Sequence, residues 1–123
     1  MATAATDLAG LRVLVIEDEA MVAMLIQDTL AEIGCEVIGI ASRFNDAIEK
    51  AKSLAFDVAI LDIDLNGRHT LGIAGSLAER DVAFVVATGY GATSLPESLQ
   101  KVPILQKPFR RRDLERALRA VLP

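Results

Sequence analysis

The feature that most constrains the fold of this chain is a strict alternation of short apolar runs with longer segments of helical periodicity. Five runs of strand length are rich in Val, Ile, Leu and Ala, without the polar alternation of half-exposed strands. They cover residues 12–16, 36–41, 58–61, 83–87 and 103–106. Such runs, each followed by a helix, predict a parallel sheet with right-handed crossovers.

The predicted helices follow from the spacing of apolar residues and from residues that start or stop helices. In the first helix, Val22, Leu25 and Ile26 are expected on the core face, and Gly34 ends the helix. Ser42 is the expected N-cap of the second helix. The remaining helices are predicted at about residues 43–54 and 71–80, from near Ser94 for a short fourth, and at about 111–121.

A chain of 123 residues has the size of one domain. The alternation favours an α/β fold of the doubly wound, flavodoxin-like (βα)5 type, with five parallel strands in the order 2-1-3-4-5. Residues 1–10 are expected to be a flexible leader and residues 11–123 the folded domain. In this order strands one and three are neighbours, and ligands bind beyond their carboxyl ends.

Composition excludes several classes of function. The net charge of −4 gives no electrostatic reason to expect nucleic-acid binding, and the arginines near the C-terminus are interpreted as a solvated helix face. No apolar run approaches the length of a membrane span, and the first residues lack the basic start of a signal peptide. We therefore expect a cytoplasmic protein that does not bind membranes, with its only cysteine, Cys35, as a small buried hydrophobe.

Polar side chains follow the ends of four of the predicted strands, and the fold would bring them to one rim of the sheet. They are Glu17 and Asp18, Asp62 and Asp64, Thr88, and Lys107. Polar residues often follow a buried strand because the chain returns to solvent, so any one of these positions is weak evidence. The coincidence of chemically matched groups at four strand ends favours a functional site.

The chemistry of these groups is specific. Carboxylates packed together repel one another, which either raises a pKa or requires a cation. A hard divalent ion such as Mg²⁺ prefers oxygen ligands and can join carboxylates to a phosphate. A carboxylate can also attack phosphorus to form an aspartyl phosphate, with a lysine and a metal neutralising the transferred group. The rim thus predicts Mg²⁺-dependent phosphoryl chemistry.

Four motifs in this chain resemble the signatures of response-regulator receiver domains, in the order of that family. They are Leu14 to Glu19, Asp57 to Asp62, Ala87-Thr88-Gly89, and Gln106-Lys107-Pro108-Phe109. Each motif is weak by itself, but the combination is highly specific and extends from Leu11 nearly to the end of the chain. The run Thr88-Gly89-Tyr90 further resembles a subgroup of stand-alone bacterial receivers.

The resemblance implies a role for each residue of the rim. Asp62 would be the phosphoacceptor, Asp18 a direct Mg²⁺ ligand, Glu17 a contact to the metal through water, and Asp64 a ligand through its backbone carbonyl. Thr88 would supply the switch hydroxyl. Lys107 would contact the phosphoryl group beside a cis Lys107–Pro108 bond.

The resemblance also implies partners. The donor would be a sensor histidine kinase or a histidine phosphotransfer protein, and the output would be a downstream protein target or a role as a phosphate sink, with a homodimer also compatible. The protein would be a signalling phosphoacceptor that catalyses only its own phosphorylation and dephosphorylation, not an enzyme with a separate substrate.

The chain departs from the family pattern at three places, and the third concerns switching. The first acidic position holds Glu17, where the family more often has Asp, and Leu65-Asn66-Gly67 lacks the usual proline. Ile104 stands where many receivers carry the aromatic residue that moves with the threonine. Tyr90 is a candidate replacement for that aromatic, and the side chains of Asp64 and Tyr90 would set the lifetime of the phosphoryl group.

The first helix carries an additional hint of a binding surface. With Val22, Leu25 and Ile26 on the core face, the remaining apolar side chains are expected toward solvent near the acidic rim. Exposed apolar and Met-rich patches often mark binding surfaces. The expected docking residues for the phosphodonor are Ala20, Met21, Ala23 and Met24, with a simply buried apolar helix as the alternative.

Two rival functions are compatible with the sequence. A haloacid-dehalogenase-type phosphatase has a nucleophile motif like Asp62-Ile63-Asp64, but in that family the nucleophile opens the fold, whereas here Glu17 and Asp18 come first. Sustained turnover of a phosphate ester would favour the phosphatase. The second rival is a pseudo-receiver scaffold that keeps the fold and never accepts phosphate.

Overall fold

The computed structural model describes residues 8–65, 67–89 and 102–122 of the chain. Within these residues five strands form one parallel sheet in the order β2-β1-β3-β4-β5. The strands are β1 Arg12–Ile16, β2 Glu36–Ala41, β3 Val58–Asp62, β4 Ala83–Thr88 and β5 Ile104–Gln106. The predicted α/β fold class is confirmed, and the strand order is the predicted 2-1-3-4-5.

Four helices lie in the described part of the chain: α1 Ala20–Ile33, α2 Phe44–Ser53, α3 Leu71–Glu79 and α4 Arg111–Val121. The predicted N-cap of α2 is wrong by one residue, because Arg43, with extended backbone, precedes the helix in place of Ser42. The helix predicted to begin near Ser94 lies outside the described residues. Among the helices that are described, none combines the length and the apolar character needed to cross a membrane.

The sheet has a separate hydrophobic core on each face, because side chains alternate along every strand. On one face, residues such as Leu14 and Leu61 pack against α2 and α3. On the other face, residues such as Val15 and Ile60 pack against α1 and α4, together with the buried Cys35. A sheet covered on both faces leaves the strand ends as the place where polar side chains can gather.

The orientation of α1 differs from the prediction at two residues. Ala23 was expected to face solvent and is buried, with 6% of its surface exposed, whereas Leu25 was expected in the core and is 65% exposed. The core face of α1 is formed by Ala23, Ile26, Leu30 and Ile33. This helix has apolar residues around most of its circumference, so periodicity alone does not fix which side packs on the sheet.

The pairing of β1 with β2 contains an irregularity that brings the end of β2 to the site. Val13 pairs with Val37 but Leu14 pairs with Gly39, so one residue of β2 bulges out between them. A Cβ atom at Gly39 would lie 2.8 Å from Cδ1 of Leu54, so a larger residue here would displace the Leu54 side chain. After the bulge the pairing continues, and the Glu17 N–H donates to the Ala41 carbonyl at 3.0 Å.

The packed structure begins before Leu11, the residue at which the folded domain was expected to start. Leu8 is completely buried in the core under α1 and α4. The Leu8 carbonyl accepts a hydrogen bond from the Leu11 N–H at 3.1 Å, and the Gly10 N–H donates to the Gly34 carbonyl at 2.8 Å. Residues 8–10 therefore extend the folded unit, and Leu8 is part of the core under α1 and α4.

Candidate functional site

Two adjacent strands carry the acidic residues of the candidate site to the same edge of the sheet. β1 and β3 are parallel neighbours in which Ile16 pairs with Leu61. Glu17 therefore follows β1 at the level where Asp62 ends β3. Both acids lie within the fold, with Glu17 1% and Asp62 5% exposed. Parallel pairing places the acids side by side, and burial removes the water that would otherwise screen them.

Lys107 joins the two acids. Its Nζ atom donates to Oε1 of Glu17 at 2.7 Å and lies 3.3 Å from Oδ2 of Asp62. The lysine follows β5, and its backbone N–H donates to the Thr88 carbonyl at the end of β4. We call Glu17, Asp18, Asp62 and Lys107 the acidic site, in which one ammonium faces two buried carboxylates.

The electrostatic balance of the acidic site leaves Asp62 short of positive charge. Burial and the nearby Glu17 carboxylate raise the pKa of Asp62 to about 7, although Lys107 and the Asp64 N–H act in the opposite direction. For Lys107, burial acts to lower the pKa, but the hydrogen bond to Glu17 and the charge of Asp62 outweigh it and raise the pKa. The lysine therefore stays charged, while Asp62 needs a further cation to be fully ionised at neutral pH.

The acidic site has a donor set that suits a hard divalent ion. Glu17, Asp18 and Asp62 each offer a carboxylate oxygen, and these oxygens lie within 4.8 Å of one another. Asp18 is only partly buried, so the cluster is open to solvent on its side. Oxygen-only ligands and an open side suit an ion that keeps several water molecules, as Mg²⁺ does.

A short hairpin follows Asp62 and contacts its carboxylate. Asp64–Leu65 pairs with Arg68–His69 as two antiparallel strands of two residues each. Gly67 in the turn has a positive φ of 79°, a conformation that suits glycine. The Asp64 N–H donates to Oδ1 of Asp62 at 3.3 Å, so the hairpin orients the carboxylate. This hairpin could not be predicted from the sequence, because two-residue strands are too short to show periodicity.

Thr70 is a buried residue of the site that sequence reasoning missed. Its hydroxyl donates to the Asp62 carbonyl at 2.7 Å, and its side chain is completely buried. A threonine directly before an apolar helical run signals a helix start. That signal gives no indication that the hydroxyl contacts the end of β3.

The other residues predicted for the site differ in where they lie. Thr88 ends β4 and is completely buried. Ile104 begins β5, pairs with Val86 and packs against the core under α2 and α3. The predicted cis peptide bond between Lys107 and Pro108 is present. Tyr90 lies outside the described residues, so its predicted role as the moving aromatic stays a prediction.

Comparison with known proteins gives a consistent family. Residues 13–119 match the family model of the response regulator receiver domain. The transcriptional regulatory protein PdtaR of Mycobacterium tuberculosis is 33% identical over 107 residues, which cover 84% of this chain and 52% of PdtaR. This chain thus spans about half the length of that curated relative.

Solved structures agree with this comparison. The solution structure of SdrG from Sphingomonas melonis Fr1 has a TM-score of 0.83 and 33% sequence identity, and the match covers 93% of this chain and 98% of SdrG. A CheY-like receiver domain from Methylobacillus flagellatus has a TM-score of 0.78 at 20% identity, with 93% of this chain and all of that chain covered. The second likeness concerns the fold alone.

Proposed function

This chain belongs to the response regulator receiver domain family, and from that premise we propose that Asp62 accepts a phosphoryl group from a phosphohistidine donor, with Mg²⁺ bound at the acidic site. The observation that carries the proposal is the meeting of two buried carboxylates with the Nζ atom of Lys107, beside the more open carboxylate of Asp18. Such a cluster is costly to bury without a function that uses it.

The proposed Mg²⁺ ligands are taken from the family pattern and supported by the donor set. Asp18 and Asp62 would bind through carboxylate oxygens, Asp64 through its backbone carbonyl, and Glu17 mainly through water. When bound, the ion neutralises oxygens of the transferred group and lowers the pKa of Asp62. The pKa of about 7 without an ion means that ionisation of the nucleophile and ion binding favour each other.

The transfer itself is a displacement at phosphorus. A carboxylate oxygen of Asp62 forms a bond to phosphorus, the bond between phosphorus and the donor imidazole nitrogen breaks, and the imidazole leaves with the electron pair. Lys107 would neutralise negative charge on the transferred phosphoryl group, because its ammonium already contacts Asp62. Thr88 would then donate its hydroxyl to a phosphoryl oxygen and so shift the protein toward its active conformation.

The proposal is tested by intact-protein mass spectrometry after incubation with Mg²⁺ and acetyl phosphate. We expect the wild type to gain the mass of one phosphoryl group, and we expect Asp62→Asn to gain none. Asp57→Asn is a matched control, because Asp57 precedes the same strand at its opposite end. This control should be phosphorylated like the wild type.

Two results would contradict the proposal. One is a wild-type protein that stays unmodified with both Mg²⁺ and acetyl phosphate present, which is the behaviour of a pseudo-receiver scaffold. The other is an Asp62→Asn variant that carries a stable phosphoryl group elsewhere at the wild-type level. Sustained hydrolysis of a generic phosphate ester by the wild type would instead favour the phosphatase alternative.

We further propose that the phosphodonor docks on the exposed face of α1. Met21, Met24 and Leu25 are 78%, 59% and 65% exposed, which is unusual for large apolar side chains. Ala20 is also exposed, so the docking face is Ala20, Met21, Met24 and Leu25, with Leu25 in place of the predicted Ala23. A groove of about 390 Å³ beside this helix is lined by both Leu25 and Lys107, so one edge of the face adjoins the acidic site.

The docking proposal predicts that a change on α1 affects phosphotransfer from a protein donor but not from a small-molecule donor. Met24→Glu should slow phosphotransfer from a phosphorylated kinase or phosphotransfer protein at least about tenfold, because a charge in the centre of an apolar contact must be desolvated. The rate with acetyl phosphate should stay within about twofold. Lys52→Glu on α2, on the opposite face of the sheet, is the control. Equal rates from the protein donor for both variants would contradict docking on α1.

A further inference from the structure

Thr70 makes an unusual use of its position at the start of a helix. It precedes α3 and its carbonyl accepts the Ala74 N–H at 3.0 Å, as the residue before a helix does. A threonine at this position normally turns its side-chain oxygen toward the first N–H groups of the helix. Here the side chain makes no capping hydrogen bond. Its hydroxyl points away from the helix and donates to the Asp62 carbonyl at 2.7 Å.

A second hydrogen bond from the same residue acts on the next peptide group. The Thr70 N–H donates to the Ile63 carbonyl at 2.9 Å. Thr70 therefore holds two consecutive carbonyl groups where β3 ends, and neither contact is open to solvent at the threonine, which is 0% exposed. Buried hydrogen bonds of this kind fix backbone geometry because no water can replace the lost partner.

The two contacts close the base of the hairpin. Asp64 and His69 are directly paired, so Thr70 follows the residue at which the hairpin returns to β3. The peptide groups held by Thr70 lead directly to Asp64, whose N–H donates to the Asp62 carboxylate at 3.3 Å. The orientation of that carboxylate and of the Asp64 backbone thus depends on a residue eight positions further along the chain.

We propose that Thr70 is a positioning residue for the acidic site: through the carbonyl groups of Asp62 and Ile63, it holds the Asp62 carboxylate and the Asp64 backbone in the geometry that Mg²⁺ requires. The inference rests on the proposed function, since it concerns the same ion. In this role Thr70 supplies no ligand to the ion, because its hydroxyl donates to the Asp62 carbonyl. Its effect reaches them by way of the backbone, as outer contacts often do in metal sites.

The experiment is calorimetric titration of Mg²⁺ into the folded protein, without a phosphodonor. Thr70→Val removes the hydroxyl and keeps the shape of the side chain, and it should weaken Mg²⁺ binding by about tenfold. Thr70→Ser retains a hydroxyl and should bind within about twofold of the wild type. Thr29→Val is the matched control, because the Thr29 hydroxyl also donates to a backbone carbonyl, that of Leu25 within α1, at 2.8 Å.

The same variants are then compared in phosphorylation by acetyl phosphate. Thr70→Val should need more Mg²⁺ for half-maximal rate, with a smaller change in the rate at saturating Mg²⁺. A role in stability alone would lower the thermal midpoint and leave Mg²⁺ affinity unchanged, and that result would overturn the inference. Thr70→Ala, which also lacks the hydroxyl and places no methyl group against the Asp62 carbonyl, replaces Thr70→Val if the latter does not fold.

Failure of this inference differs from failure of the proposed function. If the wild type binds Mg²⁺ and is phosphorylated, but the valine and alanine variants match it in Mg²⁺ affinity, only the inference about Thr70 is wrong. If the wild type binds no Mg²⁺, both proposals are wrong. Weaker Mg²⁺ binding by Thr70→Val, together with nearly wild-type Mg²⁺ binding by Thr70→Ser, supports both the role of Thr70 and the ion site.

Discussion

The two ends of β3 carry aspartates in opposite electrostatic surroundings, which are set partly by residues at the ends of β1. Before β3, Asp57 accepts a hydrogen bond from the Arg12 N–H at 2.8 Å and pairs with the Arg12 guanidinium at 3.0 Å. The Arg12 side chain is 46% exposed and that of Asp57 is 35% exposed, so water reaches the pair. At the far end of β3, the Asp62 side chain is only 7% exposed and shares one lysine with Glu17.

These surroundings move the two aspartates in opposite directions. Hydrogen bonds from Arg12 lower the pKa of Asp57, whereas burial and the Glu17 charge raise that of Asp62 to about 7. The same residue type, five positions away along one strand, therefore acts as a satisfied structural anion at one end and as an unsatisfied acid at the other. The difference shows that compensated and poorly compensated negative charges are separated along the strand, and the variants that follow test that separation.

The largest effect is expected from removal of the lysine. Lys107→Met leaves Glu17 and Asp62 buried without a positive charge, and should lower the free energy of unfolding by about 2–3 kcal/mol at pH 8 without Mg²⁺. We place the value below that for complete burial because the Lys107 side chain is 17% exposed. Urea denaturation provides the measurement. Arg12→Met should lower the free energy of unfolding much less. Equal decreases for the two variants would contradict the separation.

The second effect concerns Asp62 itself. Because its folded pKa is raised, its favourable contribution is complete below the unfolded pKa of about 4 and is lost as pH rises through about 7. Asp62→Asn removes this penalty and should stabilise the protein by about 1–2 kcal/mol at pH 8, a value reduced for partial access of water. The gain should shrink toward zero near pH 4 in urea denaturation. A variant less stable than wild type at pH 8 would contradict the raised pKa.

Mg²⁺ should reverse that order of stability. An ion that binds only the folded protein, at one hundred times its dissociation constant, stabilises by about 2.7 kcal/mol, which exceeds the gain expected from Asp62→Asn. The wild type and Asp57→Asn should show this gain in thermal unfolding, and Asp62→Asn should show little of it. Ca²⁺ and Na⁺ at matched ionic strength serve as controls. An equal gain for all three proteins would mean that the ion acts away from the acidic site.

The smallest effect is expected at the other end of the strands. Since the folded pKa of Asp57 is lowered, its contribution is present above the unfolded pKa of about 4 and is lost as pH falls through the folded pKa. Asp57→Asn should therefore be slightly less stable than wild type at pH 7 and equal to it in strong acid. High salt should also reduce the difference, because the pair is exposed. Insensitivity to both conditions would show that Asp57 acts otherwise.

Much of the fold and the meeting of the acidic groups could be predicted because they depend on chain order. Continuous apolar runs define buried parallel strands, and parallel strands bring their ends to one edge. Glu17 and Asp62 follow from that rule alone, and Lys107 follows once β5 is assigned. The direct contact between Lys107 and Glu17 spans 90 positions and depends on side-chain conformations that no local pattern encodes.

What could not be predicted depends on packing and on very short elements. The facing of α1 was assigned wrongly at Ala23 and Leu25 because both sides of that helix are apolar, and only contact with the sheet decides between them. The hairpin after Asp62 is held by Thr70, whose hydroxyl had a plausible local partner in α3. Its actual partner could be identified only from the structure.

Leu8 has a practical consequence for anyone who shortens this protein. The family match begins at residue 13, so trimming to that boundary would discard a side chain with no exposed surface and leave an empty space beneath Cys35 and α4. Large voids of this kind are penalised because the surrounding atoms relax only partly. Family boundaries, drawn from what relatives share, can therefore fall inside the unit that actually folds.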